Sequence, residues 1–351
     1  MCKELIKIRE FLARGDFNGF TGADLFIKKF IKKGWGQDIA ALSNMAEGLR
    51  NIALMDPESK HEMAELMDQV IQRAVHRSVN PWEKSIDKVT DFGHFGYYLE
   101  HLNIILGCYH LVGDDRYLDH NTRVTLHLRD ASLIQENAHA RLLPHVKMRW
   151  SADQAAIIYS IWLYDSNNGT THGDEPLKRW LAYMRENATH PETGLFITEV
   201  MGTKKYSEQP RGCSAAYMIY YMSYFAPELA QSQWALFKEH MGISMLGLRG
   251  FREYLAEFDG EWTPDSGPII AGVGVAATGL SLKTAAALGD QGMFDAILRL
   301  VAIGTTMLGT AEMIPKIGDF AKIGTDLLAS SIMLAAKTQS VLPSPLGCDA
   351  Y

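Results

Sequence analysis

The chain has little cysteine, and what it has is dispersed. Cys2, Cys108, Cys213 and Cys348 are the only four in 351 residues, with no CxxC pair. That spacing excludes a disulfide framework and points to reduced thiols in a cytoplasmic protein. Positive charge is also short. Lys and Arg number 34 against 41 Asp and Glu, for a net charge of -7, and no basic arm or stripe is present. Nucleic acid is therefore not an expected partner. Long apolar runs are missing. The most apolar stretch, 267–310, is broken by Lys283, Asp290, Asp295 and Arg299. A membrane span needs about 20 consecutive apolar residues, so this stretch reads as two buried helices. The first residues, with Lys3, Glu4, Lys7 and Arg9, lack the apolar core of a signal peptide. At the other end Asp349 follows Cys348 where a prenylation box wants an aliphatic residue. Strand-like alternation is scarce. Leu195 to Val200 is the single candidate, read as half of a small hairpin ending near Tyr206.

What remains reads as helix. The composition, 47% apolar and 21% charged, is that of an ordinary globular chain. Apolar periodicity predicts helices over about 2–14, 22–33, 37–55, 58–77, 92–112, 115–134, 151–167, 174–188, 212–223, 227–247, 270–288, 291–303 and 319–337. The breaks carry turn signals, among them Asp56-Pro57, Gly113-Asp114, Pro191 to Gly194 and Gly289-Asp290. Two corners share the order Gly-Asp-x-x-apolar-apolar-Asp, at Gly113 to Asp119 and Gly289 to Asp295. In each, Gly can end one helix and the next Asp can cap another. About a dozen helices in hairpin pairs, without a linker, predict an all-α (α/α)6 barrel. It would be one domain over 1–351, with at most a small β-hairpin near 195–206. A solenoid is the alternative, but no short fixed period is visible. Three long non-helical stretches, 135–150, 189–211 and 252–269, would cover one mouth of the barrel.

One stretch concentrates titratable groups. Read as a helix, Asp91, His94, Tyr98 and His101 fall on one face at steps of three, four and three. The run beyond His101 is mostly apolar. Such an element presents its N-terminal half to a cavity as an acid–base site, or else is a solvated face with hydrogen-bonded histidines. Further on, Arg149, Trp150, Ser151 and Asp153 open the next helix. Ser151 is a plausible cap, and the helix dipole alone accounts for Asp153. The functional reading places Asp153 beside His101, where aromatic walls would raise its pKa and make it a general acid. Both readings stand at this point.

Other groups are weaker signals. Glu199 points into the cavity or lies on the surface. Cys213 has no nearby His in sequence and reads as a packed thiol. Asp265 is within chain reach of the cavity. Gly272-Val273-Gly274 lacks a preceding strand and a third glycine, which rejects a dinucleotide fingerprint. No HExxH occurs, and a metal is not expected. Tyr159, Trp162, Tyr217, Tyr220, Tyr221 and Trp262 offer ring surface to the core or to the cavity.

The chain resembles linalool dehydratase/isomerase, an (α/α)6-barrel family acting on monoterpene alcohols without a metal. The likeness is carried by Glu100-His101-Leu102-Asn103, by Gly107 to Tyr117, by Ser160 to Asp165 and by Pro191 to Gly194. Gly48-Leu49, Ala53 to Pro57, Gly272 to Ala276 and Gly289-Asp290 extend it along much of the chain. The resemblance implies that His101 is the catalytic histidine and that Asp16 corresponds to an N-terminal catalytic aspartate. The family's two active-site cysteines have no counterparts; Asp153 stands at one position and Pro144 lies near the other. The resulting expectation is a cofactor-independent lyase or isomerase, dehydratase- or cyclase-like, with His101, Asp153 and Asp16 as catalytic residues. Asp91, His94, Tyr98, Arg149, Trp150, Tyr159, Glu199 and Asp265 would line the site. The partner would be a hydrophobic terpenoid or prenylated small molecule, and the resemblance implies a homo-oligomer. Two alternatives come from the fold alone: a carbohydrate-active enzyme using paired carboxylates, or a non-catalytic binding toroid.

Overall fold

A computed structural model describes residues 3–14, 37–204, 207–245, 248–258, 260–261, 263, 265–311 and 327–339. Asp16, Trp262 and the expected helix over 22–33 lie outside the described residues. Twelve α-helices occur among those described. They are α1 (Lys3–Ala13), α2 (Gln37–Met55), α3 (Lys60–Ala74), α4 (Gly96–Val112), α5 (Leu118–Leu133) and α6 (Ser151–Asn168). The second half supplies α7 (Asp174–Asn187), α8 (Gly212–Phe225), α9 (Pro227–His240), α10 (Val275–Ala287), α11 (Gln291–Ala311) and α12 (Leu327–Thr338).

The even-numbered helices form a ring: α2 packs on α4, α4 on α6, α6 on α8, α8 on α10, α10 on α12, and α12 closes on α2. Their sequences explain the placement. α4 and α10 are apolar nearly all round, and such a helix must be buried on every side. The outer helices are amphipathic instead. α3 turns Met63, Leu66, Met67, Val70 and Ile71 onto α2 and α4; of its charged residues, buried Arg73 donates to the carbonyls of Phe11 and Leu12 in α1. Outer α1, α5, α9 and α11 cover the ring in the same way, each against a neighbouring inner helix. This is the (α/α)6 barrel expected from the sequence.

The corners work as their residues dictate. Asp56 caps the turn before α3 by accepting from Glu58 N–H at 3.2 Å, with Pro57 fixing the first position. Asp114 accepts from Arg116 N–H at 3.0 Å, and Gly289 adopts a left-handed φ of 70°. Close approach between inner helices needs small residues: a Cβ on Gly107 would meet Leu163 at 2.8 Å.

Three departures from expectation concern the mouth. α4 begins at Gly96, not near Phe92, because Gly93 at φ 62° makes a turn that Asp91 closes by accepting Gly93 N–H at 2.8 Å. In place of the hairpin expected near 195–206, single backbone links hold this loop, from Thr198 N–H to Gln209 O at 3.3 Å and between Thr189 and Phe196. Strand β2 (Glu199–Val200) pairs antiparallel with β1 (Arg149–Trp150), joining two long loops. α9 ends at His240, and β3 (Gly242–Met245) pairs with β4 (Leu248–Phe251). A third short pair joins β5 (Ile269–Ile270) to β6 (Val273–Gly274).

Gly212, at the start of α8, donates its N–H to Glu253 O at 2.8 Å, and an added Cβ would collide with the Arg252 carbonyl. Gly212→Ala is expected to cost about 1–3 kcal/mol through overpacking. The midpoint of urea unfolding measures it; an unchanged midpoint would show that the 252–253 backbone gives way freely.

Candidate active site

The inner helices all present their N-termini to one end of the ring, and the long loops gather there. Thr198 ties two of them together. Its carbonyl accepts from Ser151 N–H at 3.0 Å, and its hydroxyl accepts from Arg211 N–H at 2.9 Å. Gly96 N–H donates to Arg141 O at 3.0 Å, so the loop before α6 also clasps the start of α4. A Cβ at Gly96 would lie 2.5 Å from that oxygen, which explains the glycine. The first turns of α4, α6 and α8 are thereby fixed relative to one another.

Asp153 stands in the first turn of α6, partly accessible. Burial first, and the charge of Asp265 second, push its carboxyl up to about 7. Ser151 is the first residue of the helix and does not cap it; its hydroxyl finds no partner among the described residues. Asp265 is 47% exposed and lies 3.2 Å from Arg211 Nη1. Arg211 also grips buried Glu253, with Nη2 2.9 Å and Nε 3.0 Å from Oε1. Burial works against the Arg211 charge, but Cys213, Asp265 and Glu253 together hold its pKa above the ordinary value. Glu199 is buried and accepts from Ser207 Oγ at 2.6 Å; burial raises its pKa, partly offset by Ser207 and Arg211.

His101 and Asp153 flank Tyr97. The His101 ring meets Tyr97 edge-on at 4.9 Å. The Tyr97 hydroxyl is pushed well up by burial and then by the Asp153 charge. Glu100, one residue before His101, is fully buried and accepts from Tyr217 OH at 3.2 Å. Burial and Asp153 hold its carboxyl well above the usual range. Burial drops His101 to about 3, with Lys283 adding to the effect.

Other expected residues lie elsewhere. Asp91, His94, Tyr98 and His101 do not share a face. Asp91 and His94 are exposed in the turn ahead of α4. Tyr98 faces outward and donates to Ala74 O at 2.8 Å between α4 and α3. The Arg149 guanidinium is spent on its own loop, donating to the carbonyls of Val146, Lys147 and Met148. Trp150 bonds Glu199. Tyr159 lies deep in the ring, accepting from Arg50 Nη1 at 2.7 Å.

That depth holds a polar floor absent from the sequence reading. Lys283 Nζ sits 2.6 Å from Glu47 Oε2, donates to Asn44 Oδ1 at 2.7 Å, and lies 4.1 Å from the Tyr220 ring centre. Tyr220 OH donates to Glu47 Oε1 at 2.8 Å. Charged residues inside the apolar helices α2 and α10 were the available signal, since such charges are kept only when paired. Glu100 carried the same signal in α4. Glu253, in a loop between two polar-tipped neighbours, carried none.

Cys213 donates its thiol to Glu253 Oε1 at 3.0 Å, and burial together with that carboxylate raises its pKa well above the ordinary value. Cys108 is lifted to about 12 by burial, against the opposing charge of Arg50. Neither thiol is expected to react with iodoacetamide at pH 8 in the folded protein. Peptide mapping by mass spectrometry checks this, and rapid labelling of Cys213 would contradict the buried pairing. Among the described residues no group of three or more His, Cys, Asp or Glu is arranged to hold a metal ion. No helix among them is long and apolar enough to cross a membrane.

No protein-family model and no curated protein matches the chain. Solved structures do. A family 76 glycoside hydrolase from a bovine Bacteroides thetaiotaomicron strain aligns with a TM-score of 0.55 at 13% identity, over 87% of this chain and 68% of that one. An inactive α-1,6-mannanase variant from a Salegentibacter species, solved with α-1,6-mannotetrose, aligns with a TM-score of 0.54 at 11% identity, over 87% and 89%. Both share the (α/α)6 barrel. These neighbours correct the resemblance to linalool dehydratase/isomerase, and with it the lyase or isomerase assignment and the hydrophobic terpenoid partner. Several residues behind that resemblance are packing devices. Asn103 bridges Thr125 and Ser160 between helices, and Asp165 accepts from Gly173 N–H and Thr170 after α6. Such contacts serve any toroid of this kind.

The mannanase variant has two adjacent aspartates replaced by alanine. The one Asp-Asp pair in this chain is Asp114-Asp115, at the opposite end of α4. Asp114 is engaged with Arg116, 2.7 Å from Nη2. The acids at the mouth come instead from separate elements.

Proposed function

We propose that the chain is a carbohydrate-active enzyme that cleaves glycosidic bonds at the N-terminal mouth of one toroidal domain. The observation that carries this is that partly buried Asp153 lies within reach of the charge of exposed, arginine-held Asp265. Glycosidic cleavage needs two carboxyl groups in different environments, one protonated and one ionised. Asp153 protonates the glycosidic oxygen as the bond to the anomeric carbon breaks. Asp265 faces the same space, where it either takes a proton from the attacking water or attacks the anomeric carbon itself. Arg211 holds Asp265, while Glu253 holds Arg211 from behind. The likeness to an α-1,6-mannanase seen with α-1,6-mannotetrose supports trying such substrates first. The buried free thiols of Cys108 and Cys213 fit a reducing, cytoplasmic setting.

A second reading has its own observation. Because the mouth lacks an adjacent aspartate pair, a toroid that binds glycans without cleaving them is the competitor. Incubation with linear α-1,6-mannan, α-1,6-mannotetrose and a panel of α- and β-linked oligosaccharides separates them. Release of reducing ends that stops in Asp153→Asn supports hydrolysis. Saturable binding with no release favours the second reading, and neither binding nor release sinks both.

A further inference from the structure

Beneath the mouth, Glu100 and His101 form a pair that the acid–base steps do not use. Their exposures are 0% and 1%. Glu100 Oε1 is 3.8 Å from His101 Nε2, beyond hydrogen-bond reach. Glu100 Oε2 and His101 Nδ1 find no hydrogen-bond partner among the described residues. A buried polar atom without a partner carries the full penalty of its lost hydration. Two such atoms on adjacent residues, near enough to Asp153 for its charge to act on Glu100, mark a place built for a polar guest.

The chemistry of that guest follows from the surroundings. Burial favours the neutral form of both groups, as their raised and lowered pKa values show. A neutral carboxyl and a neutral imidazole each present one donor and one acceptor. Tyr97 and Tyr217 stand against the His101 ring, edge-on at 4.9 and 6.4 Å. The nearest ammonium, Lys283, is already committed to Glu47 and Asn44. An anion would find no uncommitted cation there. A cation would find no ionised carboxylate. Hydroxyl groups, which both donate and accept, match the pair.

We propose that Glu100 and His101 are a specificity subsite that reads two neighbouring hydroxyls of a pyranose ring held at the mouth with Asp153. The proposal rests on the glycan reading of the mouth and names the contacts that would choose among sugars. Glu100 Oε2 and His101 Nδ1 each bind one hydroxyl, and Tyr217 keeps the Glu100 carboxyl oriented.

The test uses the intact chain and isothermal titration with methyl α-mannoside, methyl α-glucoside and their singly deoxygenated derivatives, alongside hydrolysis of the oligosaccharide panel. Removal of one of two adjacent hydroxyls is expected to weaken binding roughly tenfold in the wild type. Glu100→Gln, which keeps a donor and an acceptor, should bind within about threefold of wild type, whereas Glu100→Leu and His101→Phe should lose roughly tenfold and no longer discriminate the deoxy sugars. The wild-type deoxy series needs no variant, so a misfolded Glu100→Leu leaves the test intact. Sugars that bind or are cleaved with no dependence on either residue or on those hydroxyls would overturn the subsite and leave the glycan reading standing. No binding and no cleavage across the panel would overturn both.

Discussion

Asp153→Asn is expected to lower turnover of a glycosidic substrate about 10²–10⁴-fold, the usual contribution of a general acid. Substrate affinity should change little, because asparagine keeps the shape and the hydrogen-bonding reach. The loss belongs in kcat, and a leaving group that needs no protonation should recover much of it. The pH profile carries the same signature. With the Asp153 carboxyl at about 7, the protonated fraction falls above that pH, and kcat/KM should fall with it. Stability moves in a linked way. An unfolded aspartate titrates near 3.9, so between about pH 4 and 7 the folded chain binds the extra proton and is progressively destabilised as pH rises. Asp153→Asn removes that cost and should be more stable than wild type at pH 8 by about 0.5–2 kcal/mol, with a smaller difference at pH 4. Urea midpoints at the two pH values measure it. A variant that loses activity and stability together would mean that Asp153 is structural.

Lys283→Met should be the most damaging single change to the fold, at about 3–5 kcal/mol, the cost of stranding a buried charge. Lys283 lies 2.6 Å from Glu47 and 4.1 Å from the Tyr220 ring, and all three are buried. Removing the ammonium leaves the Glu47 carboxylate to the Tyr220 hydroxyl alone. The double variant Glu47→Met/Lys283→Met should recover a large part of the loss, because apolar residues of similar volume often replace a buried pair at little cost. The double-mutant cycle in urea reads the coupling directly. Additive losses would show that the two residues act independently, contrary to the geometry.

The fold was legible because its signals are local. Asp56-Pro57 and Gly289-Asp290 mark corners whatever they pack against, and the apolar faces of α4 and α10 say that these helices are interior. The site was legible only in part. Asp153 could be placed at a helix start from Trp150 and Ser151 nearby, and His101 could be placed in a helix. The face that His101 shares could not, because one glycine, Gly93 at φ 62°, delays α4 until Gly96 and removes Asp91 and His94 from the helix. Which residue meets which across the ring is a tertiary matter. Nothing near Arg211 in sequence announces Glu253, and nothing near Glu199 announces that its strand pairs with Arg149 and Trp150. The family resemblance misled for a related reason. Besides Glu100 and His101 it was built on Asn103, Asp165 and the corner glycines, which hold helices together and are indifferent to the substrate.

The ring is fastened between α2 and α12, which lie far apart in sequence. Leu334 of α12 fills the notch left by Gly48 of α2, where a Cβ would stand 2.7 Å away. Asn51 donates across the same seam to Ala335 O at 3.3 Å, over a separation of 284 residues. Lys337 reaches Glu4 at 2.9 Å. During synthesis the flanks of α2 and α10 therefore wait, apolar and uncovered, until α12 leaves the ribosome. Contacts so distant along the chain form late and slowly. A nascent chain of this shape has a long interval in which it is open to chaperones, proteases and other unfinished copies of itself.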